Sequence, residues 1–209
     1  MVNNLDVILT DNGYAPISYN NPEVEWFFGP SAVANHWEYQ PGTAPAFRVL
    51  WDQVNDQRFL AYALQVVGDD NTVYLKKPMS SSELGQSIRS AEAFLNRMEA
   101  YALSGEEGLA LTELNAFRKT RVIGYTDVNL SGQALLDEIR LERRKELCFE
   151  GQRWFDLRRY GMPQIIHRWG EQVYTLKQND PSYTMPIPDA VLIKNKKLEQ
   201  NPLAPKRES

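Results

Sequence analysis

Apolar residues recur at intervals of three and four positions in the second half of the chain, and this pattern predicts helices. One apolar stripe comprises Ile88, Ala91, Leu95, Met98 and Ala102. We expect this helix to begin near Ser82 and to end at Ser104-Gly105. A second apolar series, Leu109–Arg121, is closed by Gly124 and predicts another helix. Two helices joined by about four residues form an αα-hairpin, the unit of tetratricopeptide-like repeats.

Two further helices are predicted after this hairpin. The third begins near Ser131, a suitable N-cap, and continues to Cys148. Gly151 interrupts the pattern, a fourth helix covers Gln152–Tyr160, and helical character resumes over Gln164–Trp169. Because one hairpin cannot bury its own apolar face, we expect it to stack on another part of the protein.

The two ends of the chain are predicted to be less regular. Proline or glycine interrupts residues 1–80 every few positions, although Asp6–Thr10 resembles a strand and Arg48–Phe59 could form a short helix. The proline-rich tail, Tyr183–Pro205, is predicted to be extended. The sequence therefore predicts a mainly α chain, in which a loop-rich segment, 1–80, and a helical region, 81–209, form one structural unit.

The composition excludes several classes of protein. The 209 residues carry 23 Lys+Arg and 27 Asp+Glu, a formal net charge of −4, whereas a dedicated nucleic-acid-binding protein needs a clustered basic face. Cys148 is the sole cysteine, which excludes an internal disulfide and a cysteine-cluster zinc site. His36 and His167 have no metal-ligand spacing, so we expect no metal and no cofactor. No apolar run approaches the roughly 18 residues that a membrane-spanning helix needs.

The charged segment after residue 135 contains an arginine where a helix should be apolar. Ile139, Arg143 and Leu147 lie on one line of the predicted helix, and a charge within an apolar stripe must be paired. We therefore predict a structural ion-pair network that fixes the turn at Gly151, with neighbouring carboxylates as the partners of Arg143. Its members are Glu142, Arg143, Glu146, Glu150, Gly151, Arg153, Asp156 and Arg158. The alternative is a solvated helix with opposite charges at four-residue spacing.

Glu142, Glu146 and Glu150 are also the candidates for a catalytic pair of carboxylates. A glycoside hydrolase holds two carboxylates about 5–9.5 Å apart, and the pKa of its general acid is raised. Neighbouring arginines would lower the pKa of these glutamates, which is the wrong direction for a general acid. No nucleophile-elbow, P-loop or zinc-protease motif occurs. We therefore predict that the chain is not an enzyme.

Aromatic residues alternate with amides in the loop-rich segment, a composition suited to binding sugars. Aromatic rings can stack on the apolar faces of sugars, while amides exchange hydrogen bonds with hydroxyl groups. Trp37 and Tyr39 lie two residues apart in the proline-bounded loop from Pro30 to Pro41. The candidate ligand-binding residues are Trp37, Tyr39, Trp26, Trp51, Asn35 and Tyr19. The alternative is that these rings form the core of the segment, since Trp and Tyr are mostly buried.

Several segments, in order along the chain, resemble the SusD/RagB family. The most specific is ERRKELCFEGQRWFDLRRYG, Glu142–Gly161. Before it, Arg89–Ala100 resembles that family's helix with paired Ala-Glu motifs, and Asn115–Arg118 resembles the helix that follows. After it, Met185–Pro188 and Gln200–Pro202 resemble the closing segment. Together these segments cover roughly residues 85–202.

The resemblance implies a surface-exposed outer-membrane lipoprotein of Bacteroidetes from a starch- or polysaccharide-utilisation system. Such proteins bind nutrients, usually glycans, and act with a SusC-like TonB-dependent transporter, over which they sit as a lid. They are considerably longer than this chain, and their N-terminal half holds the lipoprotein signal, the lipidated cysteine and most of the helical repeats. The resemblance therefore implies the C-terminal half of such a protein, with a SusD-like fold.

A protein–protein interaction module is the second function class that the sequence supports. Helical repeats commonly bind other proteins, and the predicted αα-hairpin would then be the working surface. The aromatic-rich segment 1–80 argues against this alternative, because interaction arrays rarely carry such a long irregular segment.

Overall fold

The computed structural model describes residues 23–28, 45–64, 74–75, 86–169 and 171–204. The chain divides into two units, Met1–Gly151 and Gln152–Ser209. The predicted strand Asp6–Thr10 and the predicted segment boundary near residue 80 lie outside the described residues.

In the described part of the first unit, short elements precede three longer helices. In chain order these are β1 (Val24–Phe28), α1 (Pro45–Arg48), α2 (Gln57–Tyr62), β2 (Ala63–Leu64), β3 (Tyr74–Leu75) and β4 (Gln86–Arg89). Strand β1 pairs with β4, and β2 pairs with β3, both antiparallel. The predicted short helix over Arg48–Phe59 is wrong, because α1 ends at Arg48, α2 begins at Gln57, and turns lie between them. The carboxylate of Asp52 explains the break, because it accepts hydrogen bonds from the backbone N–H groups of Val54 and Asn55 and stabilises a turn.

Three longer helices follow β4 and confirm the predicted hairpin and the helix after it. They are α3 (Ser90–Leu103), α4 (Glu107–Lys119) and α5 (Gly132–Glu146). Gly105 ends the first of them with a φ of +88°, a conformation that glycine adopts without strain. The predicted start at Ser82 is wrong, because residues 86–89 pair with β1 as a strand. Ile88 is consequently 52 % exposed instead of joining the apolar stripe.

Helix α5 contributes to the same core as the hairpin. The buried side chains of this core are Ala91, Leu95, Met98, Ala110, Leu114, Phe117, Leu135, Ile139 and Leu147. The hairpin therefore buries its apolar face within the first unit. A smaller core, formed by Phe47, Trp51 and Phe59, lies around α1 and α2.

The second unit combines short helices with one β-hairpin. Its elements are α6 (Arg153–Arg159), β5 (Ile165–Trp169), β6 (Gln172–Leu176), a 3₁₀ turn (Pro181–Tyr183) and α7 (Asp189–Lys194). The predicted helix over Gln164–Trp169 is wrong, because this β-branched and aromatic run pairs with β6. The ring of Tyr183 stacks on Trp154 with centroids 5.0 Å apart, and its hydroxyl donates to the carbonyl of Pro163 at 2.5 Å. Within the described ranges, no helix has the length and apolarity needed to cross a membrane.

Candidate functional site

A row of carboxylates on α5 meets arginines from distant parts of the first unit. Glu142, Glu146 and Glu150 follow one another at four-residue spacing, which places them on one side of the helix and its end. Glu142 and Glu146 are fully buried. Buried carboxylates are tolerated when cations and hydrogen bonds satisfy them, and arginines do so here.

Glu146 lies at the centre of this buried network. One of its carboxylate oxygens accepts hydrogen bonds from Arg58 Nη1 at 3.0 Å and Arg121 Nε at 3.1 Å. The other accepts from Arg89 Nη1 at 3.0 Å and Arg121 Nη2 at 3.2 Å. Three arginines thus converge on one carboxylate, from α2, from β4 and from the turn just after α4.

Glu142 is paired with two arginines, one at each of its carboxylate oxygens. Arg118 Nε donates to its Oε2 at 2.7 Å, and Arg58 Nη2 lies 2.7 Å from its Oε1. Burial alone would raise the pKa of this carboxyl group, but the charges of Arg58 and Arg118 outweigh burial and lower the pKa from 4.5 to about 2. Burial also opposes the charged form of Arg58, whereas Glu142 and Asp56 raise the pKa of that guanidinium well above its ordinary value.

Further acids complete the network at its edges. Arg58 forms a bidentate pair with Asp56 at 2.9 and 2.8 Å. Arg121 Nη2 donates to both carboxylate oxygens of Glu23 at 3.0 and 3.1 Å. Arg89 donates to both oxygens of Glu150 at 3.0 and 2.7 Å, one residue before Gly151, whose φ is +78°.

The remaining residues of the predicted network have other surroundings. Arg143 is buried, and its Nη1 donates to Asn96 Oδ1 at 2.7 Å, while its Nη2 lies 3.9 Å from Glu92. Both of these partners lie on α3. The other three, Arg153, Asp156 and Arg158, belong to α6 in the second unit. There the buried Asp156 accepts a hydrogen bond from Arg159 at 3.0 Å.

Six members of the observed network were not predicted from the sequence: Glu23, Asp56, Arg58, Arg89, Arg118 and Arg121. Glu23, Arg58, Arg89 and Arg121 come from segments far from α5 in sequence, and single-sequence periodicity relates only near neighbours. The sequence did contain one indication of these partners. The four-residue spacing of Glu142, Glu146 and Glu150 predicts three acids on one side of a helix, and such acids need cations from other parts of the chain.

This arrangement can stabilise the fold, but it is unsuited to acid–base catalysis. A general acid needs a raised pKa and access to substrate, whereas Glu142 is buried with a lowered pKa. In the described part of the chain, no group of three or more His, Cys, Asp or Glu side chains is arranged to hold a metal ion.

Most of the predicted ligand-binding residues lie outside the described residues. These are Tyr19, Asn35, Trp37 and Tyr39, and the described backbone of Trp26 belongs to β1. Trp51 is 5 % exposed. Its ring packs edge-on against Phe47 with centroids 5.8 Å apart, and the guanidinium of Arg58 lies 5.4 Å from its centroid. The structure therefore places Trp51 in a core, where its ring is engaged by other side chains.

A sequence comparison identifies the class of protein to which this helical unit and its charged motif belong. The family model described as the SusD family matches residues 70–203. This chain belongs to the SusD family. A comparison with curated proteins gives no match.

Solved structures of SusD-like proteins have a similar fold. A SusD-like carbohydrate binding protein from Bacteroides vulgatus aligns with a TM-score of 0.67 and 22 % identity, over 99 % of this chain and 53 % of that one. A SusD superfamily protein from Bacteroides fragilis aligns with a TM-score of 0.56 and 30 % identity, over 74 % of this chain and 35 % of that one. A SusD superfamily protein from Bacteroides thetaiotaomicron gives 0.54 and 22 %, over 88 % and 54 %. The chain thus spans about half or less of the length of these relatives.

Proposed function

We propose that this chain binds glycans, without chemically altering them, as part of a nutrient-binding protein. The observation that carries the proposal is membership of the SusD family through a match that covers residues 70–203. It is supported by the similar fold of a protein described as a SusD-like carbohydrate binding protein. The aromatic and amide residues of the segment before residue 52 supply the chemistry that sugar recognition requires.

The state of the buried carboxylates supports binding without catalysis. Glu142 and Glu146 are bonded by arginines within the first unit, and the pKa of Glu142 is lowered to about 2. A glycoside hydrolase needs one carboxyl group that stays protonated near neutral pH. These two residues therefore support a structural role.

Trp37 and Tyr39 are the proposed centre of the glycan-binding surface. In an extended segment, side chains two residues apart point to the same side about 7 Å apart, a spacing suited to neighbouring sugar units. Asn35 would supply an amide beside the two rings, and Tyr19 and Trp26 are the further candidates.

The protein is proposed to act at the bacterial outer surface and to deliver its ligand to a SusC-like TonB-dependent transporter. These two statements follow from what the family resemblance implies. The alternative, a tetratricopeptide-like protein-interaction module, would need the apolar face of the α3–α4 hairpin. That face is buried in the core to which α5 contributes, which favours glycan binding.

Substitution of two tryptophans tests the proposed surface. Each stacked ring contributes about 1 kcal/mol, so Trp37→Ala should weaken glycan binding about five-fold and leave the melting temperature nearly unchanged. The matched control is Trp51→Ala, which removes a buried ring and should cost about 3–5 kcal/mol of stability. Affinity is measured by titration calorimetry with the glycan that gives the largest shift in tryptophan fluorescence. If Trp37→Ala unfolds the protein while the remaining folded fraction binds normally, Trp37 is a core residue and the proposed surface is wrong.

A further inference from the structure

The aromatic segment 29–44 is flanked by two described segments that meet the same buried residues. We call residues 23–28, which end in β1, the first stem, and residues 45–62, which contain α1 and α2, the second stem. Sixteen residues, among them Trp37 and Tyr39, connect Phe28 to Pro45. Each stem therefore adjoins one end of this segment along the chain.

The first stem is attached through Glu23 and β1. Glu23 is fully buried, and both its carboxylate oxygens accept hydrogen bonds from Arg121. Its backbone carbonyl accepts from the N–H of Ser90 at 2.7 Å, and β1 continues along β4. An ion pair and backbone hydrogen bonds thus both attach this stem to the rest of the first unit.

The second stem is attached to the same arginine by its backbone. The N–H of Gln57 donates to the carbonyl of Arg121 at 3.0 Å, and the N–H of Ile123 donates to the carbonyl of Asn55 at 2.9 Å. Arg58 then reaches Glu146 at 3.0 Å, the carboxylate that also accepts from Arg121 Nε. Arg121 consequently contacts the first stem with its guanidinium and the second stem with its carbonyl.

We propose that Arg121 and Glu146 are positioning residues that couple the two stems and thereby hold both ends of the glycan-binding segment. The contacts run from Glu23 to Arg121, then to Glu146 and to Arg58, through side chains that are all fully buried. Neither positioning residue needs to touch the glycan. The effect of this coupling on glycan binding rests on the proposed function. The coupling of the two stems itself rests on the contacts alone.

The planar fork of arginine is essential to this arrangement. Arg121 donates through Nε and Nη2 to two different carboxylates, and a lysine ammonium cannot reproduce that fork although it keeps the charge. Arg121→Lys therefore disturbs the coupling while leaving the charge of the buried network unchanged. The matched control is Arg140→Lys on α5, because Arg140 donates to the buried Glu99 on α3 at 3.0 Å.

Hydrogen exchange of the full chain, combined with glycan titration, tests the proposal. Arg121→Lys should speed the exchange of amides in Val24–Phe28 and in Gln57–Tyr62 about tenfold or more, with less than about threefold change in α3 and α4. It should also weaken binding several-fold, whereas Arg140→Lys should do neither. Glu23→Gln is the milder second variant, and it should also loosen Gln57–Tyr62, because Glu23 is coupled to that helix through Arg121.

Three results would overturn the proposal. One is faster exchange in a single stem, and another is a uniform rise throughout the helical core, which indicates a merely structural role. The third is coupled loosening of both stems with unchanged glycan affinity. A wild-type chain that binds no glycan refutes the proposed function, and in that case coupled exchange of the stems still supports the coupling itself.

Discussion

Replacement of Arg58 by methionine is the most direct perturbation of the buried network. Arg58 is fully buried and pairs with Asp56, Glu142 and Glu146 at 2.7–3.0 Å. Methionine retains much of the side-chain length but removes the cation. Three buried carboxylates then lose a partner simultaneously.

The expected cost follows from these buried contacts. Removing one partner of a buried ion pair destabilises a protein by about 3–5 kcal/mol, because the remaining charge is left uncompensated. The pKa of Glu142, lowered from 4.5 to about 2, corresponds to about 3 kcal/mol of stabilisation by its surroundings, of which Arg58 supplies a large part. We therefore expect Arg58→Met to lower the free energy of unfolding by about 3–5 kcal/mol.

Urea unfolding followed by far-ultraviolet circular dichroism measures this loss. The matched control is Arg97→Met, because Arg97 pairs with Glu113 at the surface and is 47 % exposed. A surface pair contributes less than about 1 kcal/mol, so the control should unfold near the wild-type midpoint. A loss below about 1 kcal/mol for Arg58→Met would refute the argument that the network is a buried stabilising element.

Three further predictions concern pH and packing. The pKa of Glu142 is lower in the folded than in the unfolded state, so its stabilisation is present above pH 4.5 and is lost as the pH falls towards about 2. Urea melts should show the free energy of unfolding falling by about 3 kcal/mol over this pH range, and Glu142→Gln should remove most of that fall. The same pH dependence in the variant as in the wild type would contradict this. Leu114→Ala in the three-helix core should cost about 2–5 kcal/mol, against less than about 1 kcal/mol for the 49 % exposed Leu109→Ala; equal urea midpoints would show that Leu114 is not a core residue. Tyr183→Phe removes the hydrogen bond to Pro163 and should lower the stability of the second unit by about 1 kcal/mol. Amide exchange in the second unit should then be faster, and unchanged exchange would mean that this bond contributes nothing.

The sequence predicted the helices whose apolar residues recur over several turns. The series around Leu95, Leu114 and Ile139 specifies three helices because each stripe covers one face that must be buried. Residues 86–89 continue the first stripe by spacing, yet they pair with β1, a partner more than fifty residues away in sequence. The run Ile165–Trp169 was misassigned for a similar reason, because short apolar runs fit a helix or a strand until their pairing partner is known.

Only the members of the network that lie near one another in sequence were predicted. Glu142 and Glu146 share a face of α5, Glu150 follows at the same spacing beyond the end of that helix, and Arg143 indicated a buried charge on the same helix. The cations Arg58, Arg89 and Arg121 reach these acids through tertiary folding, which periodicity along the chain does not encode. The glycan-binding residues depend on chemistry in the aromatic segment, and Trp37 and Tyr39 stay predictions.

Titration of the chain with soluble oligosaccharides tests the central claim, glycan binding without catalysis, most directly. Intrinsic tryptophan fluorescence is recorded as each glycan is added, and the same samples are then separated by chromatography. We expect a saturable, reversible shift for one class of glycan, with every oligosaccharide recovered at its original length. No shift with any glycan, or the appearance of shorter products, would contradict it.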